Sequence, residues 1–389
     1  MRDDYNDLTQ KVQDYLVGKE VPVPRWRGHQ ADEYLAFTAW VLRAFQELRV
    51  QVDEKDRQEV AKEVAGRIVG LGVLQPFLDV EDIEEIIVRN GFVMTERKGQ
   101  IQDEGELAKD EYFYNLARRI ADMEGKGLGA AEPKIKVGLP EGSRFAATIP
   151  PLSREGTAIN IRRFSRKRMT LDELVERGSA DEETIDFLAE VANSMKASVV
   201  FSGRPGAGKT TWLNAFSSHL PPYAQVSVVE TFHELQPQVA HHHHLVVEEE
   251  TGEMSDAINT CVLRMRPDVL MIGEVVSSEA IQYILALNLG IVSHTTTHSQ
   301  SAEMALSRLE GLATTEVSVE QLRPIIGAGL GLVVHLTKEY NSERRKYVRY
   351  MQEILAVKGY SNGDYQLETL KERKGDTYTP LQGGMEIFR

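Results

Sequence analysis

Apolar residues recur at two different periods along this chain, and the change of period divides it into parts. Tyr34, Phe37, Val41, Phe45 and Leu48 follow one another at steps of three and four, the spacing of a helix with one apolar face. Before them, Val21-Pro22-Val23-Pro24-Arg25-Trp26 cannot continue a helix, because proline has no amide donor. Further on, Ile83-Glu84-Glu85-Ile86-Ile87-Val88 ahead of Asn90-Gly91 reads as a strand entering a turn. Tyr112 to Met123 reads as an amphipathic helix, and Leu139 to Arg144 as a turn between short strands. From about Ala197 the pattern changes. Ser198-Val199-Val200-Phe201, Gln225 to Val229, Val269-Leu270-Met271-Ile272 and Val292 to Thr296 read as strands separated by helical stretches. Such apolar runs predict a parallel sheet covered on both faces.

These patterns predict an α/β protein with a helical extension at 1–60, a small α/β domain at 61–165, a basic linker at 166–180 and a larger α/β domain at 181–389. A chain of 389 residues is too long for one ordinary core, which agrees with that division. Thr170-Leu171-Asp172-Glu173, after the basic run that ends at Arg168, has the pattern of a capping box. Lys plus Arg number 45 against 59 Asp plus Glu, a net charge of −14, which argues against binding nucleic acid over the whole surface. The single cysteine, Cys261, excludes an internal disulfide framework and reads as core packing. The opening Met1-Arg2-Asp3-Asp4-Tyr5 is not a secretory signal. Ala280 to Val292 comes nearest to a membrane span, but Gln282 and Asn288 interrupt it. A soluble cytoplasmic protein is the expectation.

The sharpest chemistry lies in Gly203-Arg204-Pro205-Gly206-Ala207-Gly208-Lys209-Thr210, which satisfies GxxxxGK[ST] between a strand and a helix-like run starting at Thr211. Glycines let the backbone wrap a phosphate with its N–H groups inward, and the helix N-terminus favours negative charge. Gly203, Pro205, Gly206, Ala207, Gly208, Lys209, Thr210 and Thr211 are thus the nucleotide-binding set, with Lys209 on the outer phosphates of a nucleoside triphosphate and the Thr210 hydroxyl on Mg²⁺. Three clusters follow at strand ends. They are Glu230 to Leu235, Leu263-Arg264-Met265-Arg266-Pro267-Asp268 leading into Val269 to Glu274, and Gly290 to His298. In open parallel sheets ligands bind beyond the carboxyl ends of the strands, so all three converge on the phosphate loop.

In this order the motifs resemble the type II/IV secretion ATPase superfamily, most closely its CpaF-like branch of Tad/Flp pilus proteins. The resemblance spans about residues 65–357 and includes Gly142-Ser143-Arg144, Ile149-Pro150-Pro151-Leu152-Ser153 and Ile161-Arg162-Arg163-Phe164-Ser165. It implies a RecA-like P-loop ATPase domain behind the smaller domain, a homohexameric ring, and ATP bound between the two. By that likeness Glu274 is the Walker B glutamate that polarises the attacking water. Glu230 and Glu234 are the Asp-box acids near Mg²⁺, and His298 is the His-box histidine. Arg144, Arg162 and Arg163 match arginines that reach the phosphates. The implied partner is an inner-membrane platform protein of a pilus or secretion machine, with the ring peripheral to the cytoplasmic membrane. The chain departs from the family at Thr231, Val276 and Ile291, which implies slow basal hydrolysis that depends on assembly or a partner.

Several residues admit two readings. Arg264 and Arg266, spaced as on one strand face, suit either surface ion pairs or a neighbouring subunit's nucleotide. The run Arg162 to Arg168 reads as a linker rather than a DNA patch, since only Phe164 offers a stacking ring. His241 to His244 read as an exposed polar loop, because adjacent residues on extended backbone cannot all point at one ion. Beside the motor stand two alternatives: a nucleotide-gated assembly scaffold with little hydrolysis, and a DNA-pumping ATPase. A small-molecule P-loop kinase lacks any lid or acceptor signature after the loop.

Overall fold

The computed structural model describes residues 2–388 apart from 25–30, 79, 81, 98, 140–141, 164–168, 248–252, 315–316 and 343–345. Phe164 and the basic positions 166–168 therefore lie outside the described residues, as do Arg25, Trp26, Pro140 and Glu141. Two compact units divide the chain at Met1–Ser165 and Arg166–Arg389.

The first unit begins with α1 (Arg2–Gly18), α2 (Ala31–Glu47) and α3 (Arg57–Val69). Val12 and Leu16 of α1 bury with Phe37, Val41 and Phe45 of α2 and with Val64 and Ile68 of α3, so three of the five periodic residues build the apolar seam, while Leu48 is exposed and the Tyr34 side chain lies outside the described residues. After the short α4 (Gln75–Leu78) come β1 (Ile83–Arg89), β2 (Phe92–Arg97), β3 (Gln100–Glu106), α5 (Asp110–Met123), β4 (Lys134–Gly138), β5 (Arg144–Thr148) and β6 (Ala158–Arg162). The strands form an antiparallel sheet in the order β3-β2-β1-β6-β5-β4. Asn90 and Gly91 have φ of 47° and 90°, which gives the β1–β2 hairpin the twist that matches its strands. Phe113, Leu116 and Ile120 on one face of α5 bury with Ile86, Phe145, Ile159 and Ile161.

The second unit contains α6 (Leu171–Glu176), α7 (Glu182–Ser194), β7 (Ser198–Gly203), α8 (Lys209–Ser217), β8 (Gln225–Glu230), β9 (His241–Val246), α9 (Glu253–Thr260) and β10 (Val269–Ile272). It continues through α10 (Glu279–Asn288), β11 (Val292–Thr297), α11 (Ala302–Ala313), α12 (Val319–Gly329), β12 (Leu330–Asn341), β13 (Lys346–Ser361), β14 (Asp364–Lys374) and β15 (Thr377–Tyr378). One sheet runs β15-β14-β13-β12-β7-β11-β10-β8-β9, parallel from β12 to β9 and antiparallel from β12 to β15. Val199 and Phe201 of β7, Val226 and Val228 of β8, and Val269 and Met271 of β10 bury on one face. Val200, Val229, Leu270 and Ile272 bury on the other, which is why these strands show no polar alternation. The expected capping box is present: Glu173 N donates to Thr170 Oγ1 at 3.2 Å and Thr170 N to Glu173 Oε2 at 3.1 Å. Among the described residues, no helix is long and apolar enough to cross a membrane.

Two local expectations are corrected. His241 to His244 are not a loop but most of β9, which pairs with β8 at the sheet edge. Arg264 and Arg266 do not share a strand face. Cys261–Met265 form a π-helical turn closed by Arg266 N donating to Cys261 O, and Arg266 itself is left-handed with φ of 50°. Cys261 is buried, as its apolar surroundings predict.

At the far end of the sheet, fully buried Lys371 of β14 meets Asp181, the N-cap of α7, at 2.9 Å and also bonds to Glu183. Burial works to raise the Asp181 carboxyl, but hydrogen bonds from Thr184 and Lys371 outweigh it and leave it below the ordinary range. The bonds from Lys371 and the Leu381 amide depress Glu183 likewise. Carboxyls depressed on folding stabilise the fold above their unfolded values and lose that contribution as pH falls through the lowered ones. Lys371→Met is therefore expected to melt below wild type near neutrality. The gap should narrow as pH drops below the ordinary carboxylate range, about 4, and melting curves across acid pH check it. A gap that stays constant contradicts it.

Candidate functional site

The strand-to-helix turn after β7 is built around backbone that only glycine accommodates. A Cβ at Gly203, with φ of 150°, would lie 2.3 Å from the Leu336 carbonyl oxygen of β12. Gly208, with φ of 95°, caps α8 in the left-handed region and accepts the Trp212 amide at 3.0 Å. Lys209 then occupies the first position of α8 and is only 7% exposed, so its ammonium is held and cannot sweep through solvent.

What holds it comes from two other strand ends. Lys209 Nζ lies 3.0 Å from His298 Nδ1 and 3.8 Å from Glu274 Oε1, while His298 Nε2 lies 3.0 Å from the same carboxylate oxygen. An ammonium only donates, so with the ring proton on Nε2 the Nδ1 atom accepts from Lys209 and Nε2 donates to Glu274, whereas a proton on Nδ1 would go to the Gly203 carbonyl instead. His298 Nδ1 is also 3.2 Å from the Gly203 carbonyl oxygen. The side chains of His298 and Glu274 are 33% and 34% exposed, open to a substrate while the lysine stem is covered. Lys209, Glu274 and His298, predicted from three separate motifs, are thus brought into one cluster.

Threonine hydroxyls explain how the Glu274 segment is held. Thr295, Thr296 and Thr297 of β11 donate to the carbonyls of Ile272, Gly273 and Val275 at 3.0, 2.8 and 2.9 Å. Each bond ties β11 to the segment leaving β10, so the polar run read from the sequence is a set of tethers. Val276 and Ser277 N–H groups are taken up by Glu279 at 2.5 and 2.7 Å.

Glu230, at the end of β8, is 3% exposed and packs against Gly273, where a Cβ would come within 2.7 Å of its own. Its carboxylate accepts from Leu235 N at 3.0 Å and lies 2.6 Å from His244 Nε2. Burial pushes this carboxyl up, against the hydrogen bonds from His244 and Leu235. Burial, then neighbouring His244 and His242, pushes His233 down. The sequence reading of Glu230 as a magnesium ligand therefore meets a carboxylate already directed at His244. Glu234 lies in the same loop, its carbonyl accepting from Asn214 Nδ2 of α8 at 2.8 Å, while Gln236 N donates to Asn214 Oδ1 at 2.8 Å. Asn214 thus ties the acidic loop to the helix that follows the phosphate turn.

Other predicted residues stand apart. Arg264 and Arg266 are exposed in and after the π-helical turn. Arg144 opens β5, Arg162 ends β6, and the Arg163 guanidinium donates to the carbonyls of Val80 and Ile83, all within the first unit. Sequence reasoning missed Arg349 of β13, whose Nε donates to Gly206 O at 2.8 Å. It also missed Lys338 of β12, whose Nζ would lie 3.3 Å from a Cβ on Gly206. Neither belongs to a local motif.

A protein-family model described as "Type II/IV secretion system protein" matches residues 128–371. The chain belongs to this family. Among members of the type II/IV secretion system family, conjugal transfer protein TrbB of Rhizobium radiobacter is 30% identical over 241 residues, covering 61% of this chain and 71% of that protein. Type IV secretion system protein PtlH of Bordetella pertussis is 27% identical over 317 residues, covering 72% and 92%. The X-ray structure of the Yersinia pseudotuberculosis ATPase DotB superposes with a TM-score of 0.53 at 16% identity, covering 77% of this chain and 80% of that one. That likeness bears on fold, and it agrees with an α/β protein in which a smaller amino-terminal domain precedes a RecA-like ATPase domain. Family membership supports nucleotide use and ATPase activity in general terms.

Proposed function

We propose that this chain is an ATP-hydrolysing motor of a pilus or secretion machine, working as a homohexamer at the inner face of the cytoplasmic membrane against a platform protein. The observation that carries it is the joining of Lys209, His298 and Glu274 at the mouth of the phosphate turn. Phosphoryl transfer needs little covalent help; it needs charge compensation and a positioned water. The glycine turn suits the phosphates, with Lys209 compensating their charge, and Glu274, a third exposed beside it, is the carboxylate placed to orient water. His298, between them, reports the state of one to the other. The Thr210 hydroxyl and the phosphates would hold Mg²⁺, which supplies charge neutralisation when bound. Glu234 remains the acid of the neighbouring loop, and Glu230 is left out of the magnesium assignment because His244 engages it. Arg144, Arg162 and Arg163 are proposed, from the family likeness alone, to reach the phosphates. The order of motifs favours the Tad/Flp branch.

Phosphate release from wild type and Glu274→Gln tests the motor. Wild type should turn over, and the variant should be slower by about 10²–10⁴-fold, the range of a lost general base. Equal, near-zero rates in both would replace the motor with a nucleotide-gated scaffold. The conjugal-transfer name of TrbB favours a second reading, a DNA-pumping ATPase, for which added DNA should raise the rate.

A further inference from the structure

We infer that Glu230, His233 and His244 form a binding site for one borderline divalent cation such as Zn²⁺. The inference is independent of the motor reading, since it uses none of Lys209, Glu274 or His298. One ligand atom from each of the three residues lies within 4.8 Å of the others. Glu230 and His244 are already 2.6 Å apart. The His233 ring stacks on His244 with centroids 4.3 Å apart and planes at 26°, so two nearly parallel imidazoles stand side by side next to one carboxylate. Zinc with ligand bonds of about 2.0–2.2 Å needs donor atoms about 3.5 Å apart, so the Glu230–His244 pair must open by about 0.9 Å while the widest separation closes by at most about 1.3 Å, adjustments that side-chain rotation of His244 and exposed His233 can supply.

The fold explains why part of the histidine run is suited to this and part is not. β9 lies parallel to β8 with His244 opposite Val228 and Val246 opposite Glu230. Side chains alternate along a strand, so His242 and His244 share the face of Glu230, whereas His241 and His243 point to the other. His242 is the next ring along that face, its centroid 6.5 Å from His244. The loop after β8 then returns His233 over the same spot. Four adjacent histidines cannot converge on one ion, and of this run it is His244 that joins Glu230 of β8 and His233 of its loop.

The donor set selects the metal. Two imidazoles with one carboxylate suit Zn²⁺, Co²⁺ or Ni²⁺ and leave a fourth position for water, whereas Mg²⁺ and Ca²⁺ prefer oxygen throughout. The carboxylate is also oriented from behind: Leu235 N–H donates to both its oxygens at 3.1 and 3.0 Å, the kind of outer support that ligating carboxylates have. A bound cation would pin residues 231–235 to the end of β8. Gly273, against which Glu230 packs, immediately precedes Glu274, so the pinned loop abuts the segment carrying the proposed base.

The test is a titration of the full chain, freed of metal by a chelator, with ZnCl₂ against a chromophoric competitor. One tight equivalent per chain is expected, unmoved by excess Mg²⁺. His233→Ala and His244→Ala should each weaken it at least about tenfold. His241→Ala with His243→Ala should leave it intact. The inference is overturned if wild type has no tight equivalent, if excess Mg²⁺ displaces it, if His233→Ala and His244→Ala bind as wild type, or if the 241/243 pair abolishes binding. Exposed His233 makes its variant a mild test of folding, and Co²⁺ added to wild type reads the site without any substitution. A tetrahedral visible spectrum supports the site, and the spectrum of aqueous octahedral Co²⁺ overturns it.

Discussion

Lys209→Ala is expected to lower ATP turnover by at least about 10²–10³-fold, the loss seen when one preorganised group facing developing charge is removed. The ammonium is fixed by the first turn of α8 and by two contacts, 3.0 Å to His298 and 3.8 Å to Glu274, with only 7% of the residue exposed. Phosphate oxygens arriving at the turn would therefore meet a cation already in place, with no side chain to order first. Alanine leaves the Glu274–His298 pair standing but takes away the positive charge beside it. Nucleotide affinity should fall as well, because the ammonium compensates phosphate charge in ground and transition states alike. Lys209→Arg is expected to rescue little: a planar guanidinium is bulkier than an ammonium and cannot enter the same covered space. Steady-state phosphate release and equilibrium nucleotide binding, measured on the same preparations, check both parts. Wild-type turnover in Lys209→Ala would sink the assignment of this turn.

The residues around that lysine were legible to different depths. Gly203 to Thr210 could be read locally, since the turn requires glycine where φ is 150° or 95° and the pattern names those positions. The strands at 198–201, 225–229 and 269–272 were legible because their apolar runs lack polar alternation, which burial on both faces removes, whereas β11 buries Ser293, His294 and three threonines. That Glu274 and His298 should meet Lys209 followed from the strand-end rule for parallel sheets together with the family likeness. Arg349 was out of reach. Its bond to Gly206 spans 143 residues and depends on the antiparallel register of β12 and β13, which no local signal encodes. Arg264-Met265-Arg266 alternates like a strand, but the i to i+5 bond from Arg266 to Cys261 winds it into a turn. The histidine run was misread for a related reason. Histidine has little strand preference, and β9 is stabilised by its pairing with β8 rather than by its own composition.

Trp212→Ala is expected to be the most destabilising single change near the site, by about 3–5 kcal/mol. Trp212 is 2% exposed in α8 and belongs to the core that includes Phe201 of β7 and Phe216 of α8. Its amide bonds to the Gly208 carbonyl, so the largest buried side chain of this helix sits one turn behind the lysine. α8 lies on β7 and β11, and a void there removes contacts from the helix that anchors Lys209 and from the strand that leads to His298. At about 2–4 °C per kcal/mol for a domain of this size, the second unit should melt roughly 10 °C lower. The two units have separate cores, so a calorimetric scan should resolve a shifted transition for the second and an unshifted one for the first. Trp212→Phe, which keeps most of the volume, should recover much of the loss. Were both transitions to fall together by the same amount, the units would unfold as one, and the independence of their cores would be refuted.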